Sequence, residues 1–136
     1  MNAIYPKASE QMLQGGIDLL TDAVKLVLVD ADDYTYNASH EFLSSIPAGA
    51  RVATSPNLTG KTVTNGLFNA SGTSFASVSG DEAEAIVVFV DTGNESTSRL
   101  IAYLDTGHTG LPITPDGNNI NVTIASGLFQ LAATVA

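Results

Sequence analysis

Asp30, Asp32 and Asp33, with Asn37 shortly after, place four oxygen-bearing side chains within one short stretch. Hard cations such as Ca²⁺ take oxygen ligands of this kind. The spacing is not that of an EF-hand, because the mandatory glycine and the terminal glutamate are missing from their places. A polar turn closing a strand accounts for the same residues, with Asp30, Asp32 and Asp33 as Ca²⁺ ligands the weaker alternative. Asp81, Glu82 and Glu84 form a second acidic stretch. Two carboxylates across a groove can hydrolyse glycosides. These carboxylates instead precede an apolar run, and Trp is absent, so no indole platform for a sugar accompanies them. His40 and His108 are the two histidines, and no HExxH or related metal spacing joins them. Both read as surface or interface residues. No G-x-S-x-G elbow is present. Thr59-Gly60-Lys61-Thr62 has the ending of a phosphate-binding loop, but Ser55 stands where the upstream glycine belongs. No catalytic residue and no cofactor is expected.

The elements that would position these residues are mostly strands. Val24–Val29 alternates, with Val24, Leu26 and Leu28 on one face. Ala85–Val90 is apolar on both faces, which suits a central strand, and Arg99–Leu104 is its return partner. Arg51–Thr54 reads as a strand. So do Lys61–Thr64 and Leu67–Ala70, joined by Asn65-Gly66, the strongest short hairpin signal. Thr73–Val78 and Ile120–Ile124 alternate, the latter with Ile120, Val122 and Ile124 inward. Leu128–Leu131 is the last strand, and Tyr34–Tyr36 a short edge strand. Helix is expected over Ala8–Gln14 behind a Ser9 cap, stopped by Gly15-Gly16. One further helical turn is expected over Ser39–Leu43. Seven or more short strands with turn signals every 8–12 residues predict a mainly β, single-domain antiparallel β-sandwich, jelly-roll or immunoglobulin-like. One or two short helices belong to its N-terminal half.

The 136 residues suit one domain, 1–136, and the 44% hydrophobic fraction supplies a core. Cysteine is absent, which excludes disulfides and thiolate metal sites. Met1-Asn2-Ala3-Ile4-Tyr5-Pro6-Lys7 lacks a charged segment leading into an apolar one, so no signal peptide is expected. A net charge of −9 repels polyphosphate and anionic lipid, which argues against nucleic acid and membrane as partners. Arg51, Lys61 and Arg99 are scarce cations, expected to pair with carboxylates or to sit at contacts.

Leu13-Gln14-Gly15-Gly16-Ile17-Asp18-Leu19-Leu20-Thr21-Asp22 runs directly toward Val24–Asp30. Tyr34-Thr35-Tyr36, Ser39–Leu43, Ile46-Pro47, Arg51–Ser55, Leu58–Val63 and Gly66-Leu67-Phe68 follow. This order, over roughly Ile4 to Leu131, resembles a family of small structural proteins of tailed bacteriophages. The resemblance implies a non-enzymatic virion protein, foremost a capsid decoration (cement) protein on the outer face of the head. Its implied partners are the major capsid protein and further copies of itself, a trimer being favoured. It would be made in the bacterial cytoplasm. A tail, collar or fibre-associated role and a receptor- or carbohydrate-binding module are the alternatives. Residues 1–14 are expected to form an arm or helix making assembly contacts, and 127–136 a contacting tail. Ile4, Tyr5, Pro6, Phe129 and Leu131 are the candidate contact residues.

Overall fold

The computed structural model describes residues 1–107, 110–124 and 126–131. Its framework is a five-stranded antiparallel sheet. β2 (Val24–Val29), β7 (Ala85–Val90) and β8 (Arg99–Leu104) form the centre. β1 (Ala3–Ile4) and β3 (Arg51–Thr54) flank them, in the order β1-β8-β7-β2-β3. The three central strands are apolar on both faces because both faces are covered. Each fully buried Val, Leu, Ile or Phe contributes about 1.5–3 kcal/mol by leaving water.

The two faces have different covers. Ala3, Val87 and Tyr103 share one row of the sheet, and Tyr5, Tyr34 and Tyr36 pack on that side around Tyr103. Ile4, Ala102, Val88 and Leu26 share a row on the other side. There a three-stranded sheet, β10-β5-β4, approaches: β4 (Thr62–Thr64), β5 (Leu67–Asn69) and β10 (Phe129–Gln130). Ile4 and Leu104 face Leu128 and Phe129 across a cleft. β6 (Thr73–Phe75) and β9 (Ile120–Val122) make a separate antiparallel pair. One continuous cluster of buried side chains unites these parts. The chain is thus mainly β and sandwich-like, as its turn spacing predicts.

Several local expectations are corrected. The helix α1 runs Pro6–Gln14, starting before Ala8. Pro6 presets the helical φ at its first turn, where the missing N–H costs nothing. Ser9 therefore lies inside the helix, and Tyr5 occupies the cap position. Gly15, at φ 80°, ends it in a left-handed cap. Tyr34–Tyr36 is not a strand; its two rings are used for packing. The turn expected at Ser39–Leu43 appears later, as 3-10 turns at Leu43–Ser45 and Ala48–Ala50. Alternation over Thr73–Val78 stops at Phe75, and Ser77 takes a positive φ of 48°. Among the described residues no helix is long and apolar enough to cross a membrane.

Candidate functional site: an apolar groove beside an open sheet edge

Asn65 (φ 52°) and Gly66 (φ 78°) are both left-handed, which is the two-residue hairpin geometry that Asn-Gly favours. This turn fixes the register of β4 on β5: Thr64 opposite Leu67, Val63 opposite Phe68, Thr62 opposite Asn69. β10 sits on the far side of β5 with Phe129 opposite Phe68, the two rings 5.5 Å apart. Val63, Phe68 and Phe129 therefore form a row across the small sheet. Met12 from α1 and Ile17, Leu19 and Leu20 from the segment after it face that row. The space between is an open groove of about 450 Å³, with Asp18 at its rim. Leu20 (50% exposed), Val63 (49%) and Leu131 (46%) leave large apolar area in water at its mouth. Single exposed apolar residues are ordinary, but a contiguous set around a groove marks an interaction surface.

The carboxylates are gathered elsewhere. Asp30 to Asp33 follow the end of β2, and Asp81 to Glu84 precede the start of β7. Since β2 and β7 are antiparallel neighbours, both stretches fall at one end of the sheet. Single oxygens of Asp30, Asp33 and Asp81 lie within 4.8 Å of one another, as do those of Asp30, Asp32 and Glu84. Asp30 accepts from the Asp32 N–H at 2.9 Å and Glu84 from the Ala31 N–H at 3.0 Å. These bonds make the cluster a carboxylate-braced turn. Glu82 accepts from the Thr114 hydroxyl. Asp30 is buried, whereas Asp32 and Asp33 are exposed.

The cations are all engaged. Lys25 pairs with Asp91 at 2.6 Å, Arg51 with Glu95 at 2.6 Å, Arg99 with Glu41 at 2.9 Å and Lys7 with Glu10 at 3.7 Å. Lys61 donates to the Asp22 carbonyl at 2.5 Å, and the N-terminal ammonium pairs with Asp105. The Lys25 ammonium, and then the Gly93 N–H, hold the Asp91 carboxyl below the usual carboxylate range.

A hydrogen-bonded chain runs inward from His40. Its Nδ1 is 2.9 Å from the Tyr34 hydroxyl, which is 2.9 Å from the Tyr5 hydroxyl. Burial raises the Tyr5 phenol far above its ordinary value, and raises Tyr34, Tyr36 and Tyr103 as well. His40 is half-buried at the outer end of this chain; His108 lies outside the described residues.

No family model and no curated protein matches this chain. The contact residues expected from the sequence divide on burial. Pro6 and Leu131 are exposed, and Ile4 and Phe129 half-buried, with Phe129 lining both the groove and the cleft beside Ile4. Tyr5 is a correction: it is fully buried in its own domain, so its ring is a core element, not a contact. The arm 1–14 is likewise integrated, since β1 pairs with β8 and the Tyr5 N–H donates to the Ile101 carbonyl at 2.9 Å. Of the tail, residues 132–136 lie outside the described residues. Met12, Leu20, Val63 and Phe68 escaped notice as groove residues. The signal for the last two was present, because a two-residue Asn-Gly turn places positions 63 and 68 opposite each other.

Proposed function

We propose that this protein is a non-enzymatic structural protein of a tailed-bacteriophage particle, a decoration protein that docks on the major capsid protein lattice and stabilises the head. The observation that supports this reading best is the groove between α1 and the β4–β5–β10 sheet, whose mouth exposes Leu20, Val63 and Leu131. A sandwich of short strands on a stiff central sheet suits a particle component, because packing holds the docking loops in place. Many equivalent copies on a lattice give avidity even where each contact is modest. The acidic surface, with its cations already engaged, fits a basic partner face.

The direct test incubates purified protein with emptied, expanded heads that lack it, followed by sedimentation and electron microscopy. Saturable decoration at lattice positions is expected. A trimer by light scattering is the expected solution form. Leu20→Lys should weaken head binding at least tenfold while leaving the melting temperature within about 2 °C, since its side chain is half in water already. Binding to tails and not to heads would replace this reading with the tail or collar role. No binding to any particle component would end it.

A further inference from the structure

We propose that the free edge of β4, with the groove it borders, is a strand-docking site for an extended, apolar, Lys- or Arg-bearing segment of a partner protein. This rests on the reading of the groove as the docking face and names what enters it.

The argument begins at the turn. In a two-residue hairpin the pair beside the turn, here Thr64 and Leu67, exchanges both backbone hydrogen bonds. The next pair, Val63 and Phe68, then exchanges none, and its amides and carbonyls point away from each other. The Phe68 carbonyl does so: it accepts from the Leu128 N–H at 2.8 Å, on the side of β5 remote from β4. By the same alternation the Val63 N–H and C=O point out from the open edge of the small sheet. All three residues of β4 are exposed, and β5 is its one strand partner among the described residues. Natural edge strands are usually blunted by Pro, a bulge or an inward charge. Thr62-Val63-Thr64 is short, three residues, but carries no Pro, bulge or charge within the strand. The nearest charge, Lys61, is drawn away to the Asp22 carbonyl.

A strand added here would exchange two hydrogen bonds with Val63, accepting from its N–H and donating to its C=O. Its residue opposite Val63 would project on the same face as the Val63 side chain, at the mouth shared with Leu20. Charge decides the occupant. Asp18 is exposed on the rim, and every Lys and Arg side chain of this protein already has an oxygen partner. A segment bearing free cations is attracted, whereas a second copy, whose own Lys and Arg side chains are already paired, offers this acidic rim none.

The test titrates the ¹⁵N-labelled full chain, at low salt, with the capped peptide Lys-Val-Thr-Val-Thr-Val-Lys. Saturable shifts centred on the Val63 and Thr64 amides are expected, with exchange of the Val63 amide slowed at least tenfold. A Glu-ended peptide should bind at least tenfold more weakly, and a backbone N-methylated peptide should not bind. Val63→Pro removes the outward N–H without taking a bond from β5, so it should keep the folded spectrum and lose the peptide. If that variant does not fold, Val63→Lys serves, and should repel the Lys-ended peptide. Absence of saturable shifts, shifts centred elsewhere, or equal binding of the Glu-ended peptide overturns the proposal. Slowed Val63 exchange at high protein concentration without peptide overturns it too, by giving the edge to a second copy. Peptide binding with no binding to heads leaves this site standing and removes the decoration reading. Equal head binding by wild type and Val63→Pro, with no peptide binding, does the reverse.

Discussion

Tyr5, Tyr34, Tyr36 and Tyr103 are all the tyrosines of the chain, and they meet on one face of the central sheet. Nothing in their spacing announces this. They come from the β1 end, the loop after β2, and β8. Desolvation raises all four phenols above their ordinary value of about 10. The folded state therefore keeps these protons longer than the unfolded state. The stability they contribute is complete below about pH 10 and is lost as pH rises from there through the folded-state values. Alkaline titration should thus show most of the tyrosinate absorbance appearing together with loss of the folded circular dichroism signal. Early, smooth ionisation of all four in the folded protein would contradict their packing. Tyr5→Phe removes one buried hydroxyl from the chain to His40 and should cost about 1 kcal/mol by chemical denaturation. At the acid end the sign is opposite. The contribution of Asp91 is complete above about pH 4 and is lost as pH falls through its lowered folded-state value. Lys25→Met removes the largest cause, so this variant should lose less stability than wild type on acidification below about pH 4.

The β4–β5 hairpin shows how an element carries a site. Asn65-Gly66 sets its turn and register, and the register puts Val63 beside Phe68. Gly66 has a second constraint, because a Cβ there would lie 2.8 Å from the Leu131 carbonyl. Gly66→Ala should therefore destabilise by more than about 1 kcal/mol, combining φ strain with that clash. The readout is a lowered denaturation midpoint at unchanged slope. Phe68→Ala empties the groove floor and should cost about 3–5 kcal/mol. Strands such as β2, β7 and β8 were legible because each runs six residues with apolar side chains on both faces, broken by one cation in β2 (Lys25) and one in β8 (Arg99). The short elements were less so. Pro6 extends α1 backwards, Ser77 cuts β6 short, and the ring packing of Tyr34 and Tyr36 overrides a β-favouring sequence. In each case a single residue's backbone angle or tertiary contact outweighs local preference.

Taken whole, the molecule carries most of its uncompensated charge at one end of the sheet and the exposed apolar side chains of Leu20, Val63 and Leu131 at the groove. Asp30, Asp32, Asp33, Asp81 and Glu84 crowd one another, and none has a cationic partner among the described residues. Like charges at such distances oppose folding, and salt screens them. Raising NaCl from about 10 mM to about 0.5 M should therefore raise the melting temperature, and Asp81→Asn should raise it at low salt and lose that advantage at high salt. A melting temperature that falls with salt would mean that the ion pairs outweigh the repulsion. What the sequence determined by itself was the class of fold, the absence of thiol chemistry, the acidic surface and the Asn-Gly register. Each of these depends on composition or on neighbours a few residues apart. Tertiary structure decided which face each strand turned inward, that Tyr5 belongs to the core, and that α1 and the Ile17–Leu20 segment stand opposite the small sheet. Those outcomes depend on contacts between residues far apart in the chain. Alternation shows that a strand has two faces but leaves open what covers them.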